Sequence, residues 1–137
     1  MGDRIRKVDY FYVTVPNSAG EGAKVLDGLA DQGVNLLAFS GFPSRGKGQL
    51  DLVPEKSGAL TRAAGKLGLK LSQKKTGFLL AGKDRVGAMT KVVGKLAKAK
   101  INIIAMDAVV AGKGRYGAIL WVEPKSVAKT AKLLGAN

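Results

Sequence analysis

Apolar residues along the chain change period in a fixed order, and the order occurs twice. Residues 9–15, Asp-Tyr-Phe-Tyr-Val-Thr-Val, are β-branched and aromatic and end at Pro16-Asn17, which predicts a strand. From 20 to 32, Ala23, Val25, Leu26, Leu29 and Ala30 recur at helical spacing with Lys24, Asp27 and Asp31 outside them, and Gly33 is placed to end the helix. Residues 34–42 predict a second strand, 43–48 a turn-rich hairpin loop and the alternating 49–53 a third strand. A helix over 56–67 puts Leu60, Ala63, Ala64 and Leu67 on one side, and 69–72 alternate as a further strand. The second half predicts a strand at 77–81, a helix at 86–99, a strand at 101–110, a hairpin loop at 111–115, a strand at 116–122 and a helix at 125–134.

The likeness of the halves extends to residues. Val34-Asn35-Leu36-Leu37-Ala38 returns as Ile101-Asn102-Ile103-Ile104-Ala105, an offset of 101 − 34 = 67. At that offset Phe11 falls on Phe78, Asn17 on Asp84, Gly20 on Gly87, Lys24 on Lys91, Val25 on Val92 and Leu29 on Leu96. Such register marks an internal duplication. The expected class is α+β: two ferredoxin-like βαββαβ modules in tandem, 1–76 and 77–137, each an antiparallel sheet with its helices on one face. After its second helix the second copy has no residues for a last strand before Asn137. That strand flanks strand one, so its absence leaves an edge that proteins normally cover. We expect a borrowed segment there, either the N-terminal arm or a strand of a second chain.

Size and charge narrow the classes of function. The chain has 137 residues, about 68 per copy, and a domain near 60 residues is marginal alone. The two modules should therefore share a core or a sheet with each other or with a second chain, and a homo-oligomer, in the first place a homodimer, is expected. There are no cysteines, no apolar signal core in the opening Met1-Gly2-Asp3-Arg4-Ile5-Arg6-Lys7, and no long apolar run, which together predict a cytoplasmic protein that does not enter a membrane. The net charge is +13: residues 1–76 carry 12 basic and 7 acidic side chains, and residues 77–137 carry 11 and 3. A protein this basic attracts polyanions at low salt whatever its task. Catalysis finds little support. There is no histidine, the acids are scattered without metal-ligand spacing, and no serine stands in a nucleophile motif. We expect no enzyme, no bound metal and no cofactor.

The turns from strand one into helix one carry the candidate chemistry. They read Asn17-Ser18-Ala19-Gly20-Glu21-Gly22 and Asp84-Arg85-Val86-Gly87-Ala88-Met89. A helix start offers backbone N–H groups without internal partners, and glycine lets a carboxylate come close. In a reading without a ligand, Asn17 or Ser18 and Asp84 cap their helices. Asp84-Arg85-Val86-Gly87-Ala88, then a helix, then Ala99-Lys100-Ile101-Asn102-Ile103, resembles the signature of ACT domains: Asp-Arg-Pro-Gly, a helix, and Gly-Ile-Asn-Ile opening strand two. Asn17-Ser18-Ala19-Gly20 with Gln32-Gly33-Val34-Asn35-Leu36 is a looser version, and Ala19 and Val86 stand where the family favours proline.

The resemblance implies a regulatory family in which small ligands, most often amino acids, bind where modules pair. There the turn of one module meets the opening of strand two in its neighbour. Carried over by position, the ligand-binding candidates are Asn17, Ser18, Ala19, Gly20, Glu21, Asn35 and Leu36 in the first copy. In the second they are Asp84, Arg85, Val86, Gly87, Ala88, Met89, Asn102 and Ile103. Helix N–H groups and an asparagine amide would hold the carboxylate, and Glu21 or Asp84 the ammonium; Asn35 and Asn102 also read as plain turn residues. The resulting expectation is a non-catalytic module that senses an amino acid or similar small ligand and shifts assembly. The alternatives are a basic ferredoxin-like nucleic-acid binder, with Tyr10 and Tyr12 its best stacking residues, and an assembly module without a ligand. Arg45-Gly46-Lys47-Gly48 and Gly112-Lys113-Gly114-Arg115 read as hairpin turns, because no helix follows them as a phosphate loop requires.

Overall fold

A computed structural model describes residues 3–137. Along the chain run β1 (Arg4–Pro16), α1 (Glu21–Asp31), β2 (Leu36–Ser44), β3 (Lys47–Pro54), α2 (Ser57–Leu67), β4 (Lys75–Lys83), α3 (Thr90–Lys98), β5 (Ile103–Val110), β6 (Arg115–Val122) and α4 (Val127–Leu134). Two compact units result, one of Asp9–Lys75 and one that joins residues 3–8 to Thr76–Asn137.

In the first unit the strand order is β2-β3-β1, with β3 antiparallel to both neighbours, Phe11 opposite Leu52 and Phe39 opposite Leu52. Its core is Phe11, Val13, Val25, Leu29, Val34, Leu50, Leu52, Leu60 and Ala63. The second unit repeats the plan as β4-β6-β5, with Phe78 opposite Leu120, over Phe78, Leu80, Val92, Leu96, Ile101, Ala118, Leu120, Val122 and Ala131. This is the expected α+β fold of two ferredoxin-like modules. Of the apolar positions expected on α1, only Val25 and Leu29 are buried, while Ala23 and Ala30 are exposed. Alanine's single methyl carries too little apolar area to demand burial.

Backbone shape repeats as closely as the core. Positive φ angles occur at Gly20 and Gly87, at Gly33 and Lys100, at Arg45 and Gly112, at Gly46 and Lys113, and at Gly68 and Gly135, each pair 67 apart. Gly33 and Lys100 close α1 and α3 in the same way. The Val34 N–H reaches the Leu29 carbonyl at 3.0 Å and the Ile101 N–H the Leu96 carbonyl at 2.9 Å, the six-to-one bond of a Schellman turn. Gly114, also at positive φ, is one extra residue in the second hairpin. It moves β6 to an offset of 68 from β3 (115 − 47 = 68).

Three elements depart from the sequence reading. The first strand begins at Arg4, five residues before the expected start at 9. Residues 69–72 are not a strand: Leu69 and Leu71 pack on the first core, and Ser72 meets Tyr12 through one backbone bond and one side-chain bond, each 2.9 Å. A hydroxyl that takes the place of a ladder carbonyl ends regular pairing. The third helix begins at Thr90 instead of 86, because the Thr90 N–H and Oγ1 both bond the Gly87 carbonyl and hold 86–89 as turns. The bare edge of the second module is covered. β1 stands next to β4 in the strand order, the arm 3–8 belongs to that unit, Ile5 packs on its core, and the Lys7 N–H bonds the Asn137 carbonyl at 3.1 Å.

Candidate functional site

Each strand-one turn is formed by its own backbone. In the first, the Ser18 N–H bonds the Pro16 carbonyl at 2.9 Å, and Gly20 (φ +89°) precedes α1 with no side-chain cap. In the second, the Asp84 N–H bonds the Gly114 carbonyl at 2.8 Å and the Ala88 N–H the Arg85 carbonyl at 3.2 Å, again with no side chain capping the helix. Asn17, Ser18 and Asp84 therefore do not serve as caps. Their polar side chains are exposed, as are Ala19, Arg85, Val86 and Gly87, while Glu21, Ala88 and Met89 are half-buried. Glu21 pairs with Lys24 at 3.4 Å.

The strand-two openings lie elsewhere. Leu36 is opposite Pro54 and Pro16 opposite Lys47; Ile103 is opposite Val122 and Lys83 opposite Arg115. In each module the turn and the strand-two opening thus sit at opposite ends, seven residue steps apart (122 − 115 = 7), or about 23 Å. Within a module the structure does not bring Asn35 and Leu36 to the first turn, nor Asn102 and Ile103 to the second. The Asn35 and Asn102 side chains are exposed, and the Asn35 carbonyl accepts the Glu55 N–H at 2.9 Å.

Each turn instead borders a hollow of its own module. In the second module a hollow of about 150 Å³ is lined by Asp84, Ala88, Met89, Ala108, Val109, Val110 and Tyr116, so three of the expected residues meet there. In the first, a hollow of about 270 Å³ is lined by Val15, Val25, Leu67 and Leu69 with Glu21 and Lys24 at its rim. Both hollows are open to solvent, and an apolar lining with a few charges is part of what a small-molecule site needs. No group of three or more His, Cys, Asp or Glu among the described residues could hold a metal ion, and no helix is long and apolar enough to cross a membrane.

Sequence reasoning passed over Asp3. Its carboxylate is bonded at 3.2 Å by each terminal nitrogen of Arg85, and Arg85 Nη1 also bonds the Lys83 carbonyl at 2.8 Å. The guanidinium holds the Asp3 carboxyl below the usual carboxylate range. Tyr116, buried, makes no hydroxyl bond of good geometry among the described residues, yet it too favours the Asp3 anion. Burial, and then the Asp3 charge, push the Tyr116 phenol up to about 12. A signal for this cluster existed in the repeat: Gly82 stands where the first copy has Val15, and Tyr116 where it has Gly48. In the first module Asp51 was also missed. It is buried in β3 with Gln49 Nε2 donating to it at 3.0 Å, and burial raises its pKa.

No protein-family model and no curated protein matches the sequence. Solved structures do. A protein from Bacteroides thetaiotaomicron shares 17% identity over 96% of this chain and 88% of its own, at a TM-score of 0.82. The regulatory subunit of aspartate kinase from Thermus thermophilus, in its ligand-free form, shares 14% over 98% and 95%, at 0.66. The aspartate kinase of Clostridium acetobutylicum, described as an allosteric enzyme, shares 19% over 97% of this chain and 33% of its own, at 0.60. At these identities the likeness is one of fold, and it agrees with the repeated turn motif: the chain has an ACT-like fold.

Proposed function

We propose that the protein is a non-catalytic regulatory module that binds an amino acid or a similar small ligand between ACT-like modules. The observation that carries this reading is the pair of uncapped turns. Each leaves helix-start N–H groups without a side-chain partner, beside a hollow with a carboxylate at its edge, Glu21 in one module and Asp84 in the other. Since the matching asparagines lie about 23 Å off within a module, a complete site needs the strand-two opening of another module. A ligand held that way favours the assembled state, as any ligand favours the state it binds best. The aspartate kinase structures support the reading by analogy of fold. The oligomer is proposed as a homodimer acting in the cytoplasm on a separate partner.

Nucleic-acid binding through the sheet face is the weaker reading. Trp121 and Tyr116 are only 4% and 5% exposed, and Lys75 already sits 5.2 Å over the Tyr12 ring. A thermal-shift screen against the twenty amino acids, with RNA in parallel at physiological salt, tests both readings. Selective stabilisation by one or two amino acids is expected. Indifference to all twenty, with salt-resistant RNA binding, would sink the proposal.

A further inference from the structure

Asp3 reaches the second turn from far along the chain, and it meets Arg85 fork to fork. Both carboxylate oxygens are engaged, at 3.2 Å each, and the third strong bond of the guanidinium goes to the Lys83 carbonyl. A bidentate pair of this kind covers the edge of the guanidinium that an incoming carboxylate would use. Shape seats the pair as well as charge. Position 82 is glycine, and a methyl carbon there would run into the Asp3 carboxylate and stand 2.7 Å from the Tyr116 ring. Val15 holds the matching position in the first module (15 + 67 = 82), so only the second can receive the arm in this way.

The hollow beside this pair is apolar along Ala108, Val109 and Val110 and along Ala88 and Met89. Asp84 is the one carboxylate on its wall, and it forms no ion pair among the described residues. With Arg85 held by Asp3, Asp84 is the one charged side chain among the residues that line the hollow. We infer that Asp3 sets the ligand class of the second module: by holding Arg85 it makes the hollow a site for an ammonium group on a short apolar chain, bound through Asp84, and closes it to carboxylates. The inference rests on the proposed ligand-binding role of this turn. It also assigns Arg85 a place outside the ligand shell, so that an amino acid would enter amine first and turn its carboxylate away from Arg85.

Butylamine and butyrate, titrated at matched concentrations at neutral pH, are the probes, read by the NMR shifts of the Ala88 and Met89 amides. Saturable shifts with butylamine and none with butyrate are expected in the wild type. D3N should bind butyrate at least tenfold more tightly than the wild type, and adding R85Q to D3N should abolish that increase. Gly82→Ala, which evicts Asp3 by bulk while leaving both charges in the chain, should reproduce the butyrate binding of D3N. Equal butyrate binding in wild type and D3N, or an increase that survives R85Q, overturns the role of Asp3 alone. If neither probe moves either amide in any variant, the second turn takes no small ligand, and the broader proposal for this module falls with it.

Discussion

Lys100 holds a left-handed backbone, φ +59°, at the place where the first repeat has Gly33 at φ +74°. A side chain in that region costs about 1–2 kcal/mol, against which glycine loses about 0.4–1 kcal/mol through a freer unfolded chain. Lys100→Gly should therefore stabilise the protein by about 0.5–1 kcal/mol, while Gly33→Lys should destabilise it by a similar amount; urea unfolding of the two variants reads both signs. Thr130 is wholly buried in α4, and its hydroxyl has no partner among the described residues. The nearly isosteric Thr130→Val removes that unpaid desolvation, and a rise in stability of about 1 kcal/mol is expected from thermal melts. Asp51 is buried, and burial raises its pKa. An acid whose folded pKa is raised disfavours the fold above that pKa, and the penalty fades as the pH drops toward the unfolded value near 3.8. Asp51→Asn should melt higher than the wild type at pH 7, and the difference should close below about pH 4.

At the scale of elements, the arm Arg4–Val8 does the most. Its sequence, Arg-Ile-Arg-Lys-Val, has two apolar residues among three cations, and it is one of the two segments expected to cover the bare edge. In the fold it flanks β4, puts Ile5 on the second core and buries Val8. Ile5→Ala should cost about 1–2 kcal/mol, less than a fully buried isoleucine. Deleting residues 1–8 removes Ile5 and uncovers the β4 edge together. A lower melting temperature and concentration-dependent light scattering are expected, and a deletion that melts and scatters like the full chain would show that the arm does not protect this edge. The helix ends, by contrast, were legible. Gly33, Gly68 and Gly135 mark positions where the chain must turn left-handed, and only the substitution at Lys100 hid one of them.

For the molecule as a whole, the excess of positive charge sets a second behaviour beside any ligand. With 23 basic and 10 acidic side chains the protein should bind heparin or RNA weakly at 50 mM salt and lose at least a hundredfold in affinity by 200 mM, since exposed lysines act mainly by releasing counterions. Binding that withstands this change would require a shaped nucleic-acid surface instead. The amino-acid screen reads the other behaviour. A ligand that bridges two modules should raise the melting temperature and the oligomer size together, whereas one held within a single module should raise only the first.

The duplication, the α+β class, most of the order of strands and helices and the position of the two turns follow from short-range pattern, and the sequence by itself determined them. Periodicity, glycine placement and the repeat at 67 act within a few residues or report directly on similarity. What the tertiary structure decided are matters of distant pairing: that Arg4–Val8, of the two candidate segments, covers the second module's edge, that 69–72 make no regular strand, and that Asp84 shares an open hollow with Val109 and Val110. Asp3 and Arg85, 82 positions apart, meet because the arm lies beside β4 and Gly82 leaves room for them. No local pattern encodes such a contact. It arises only when packing brings a charge from one end of the chain to a gap left in another strand.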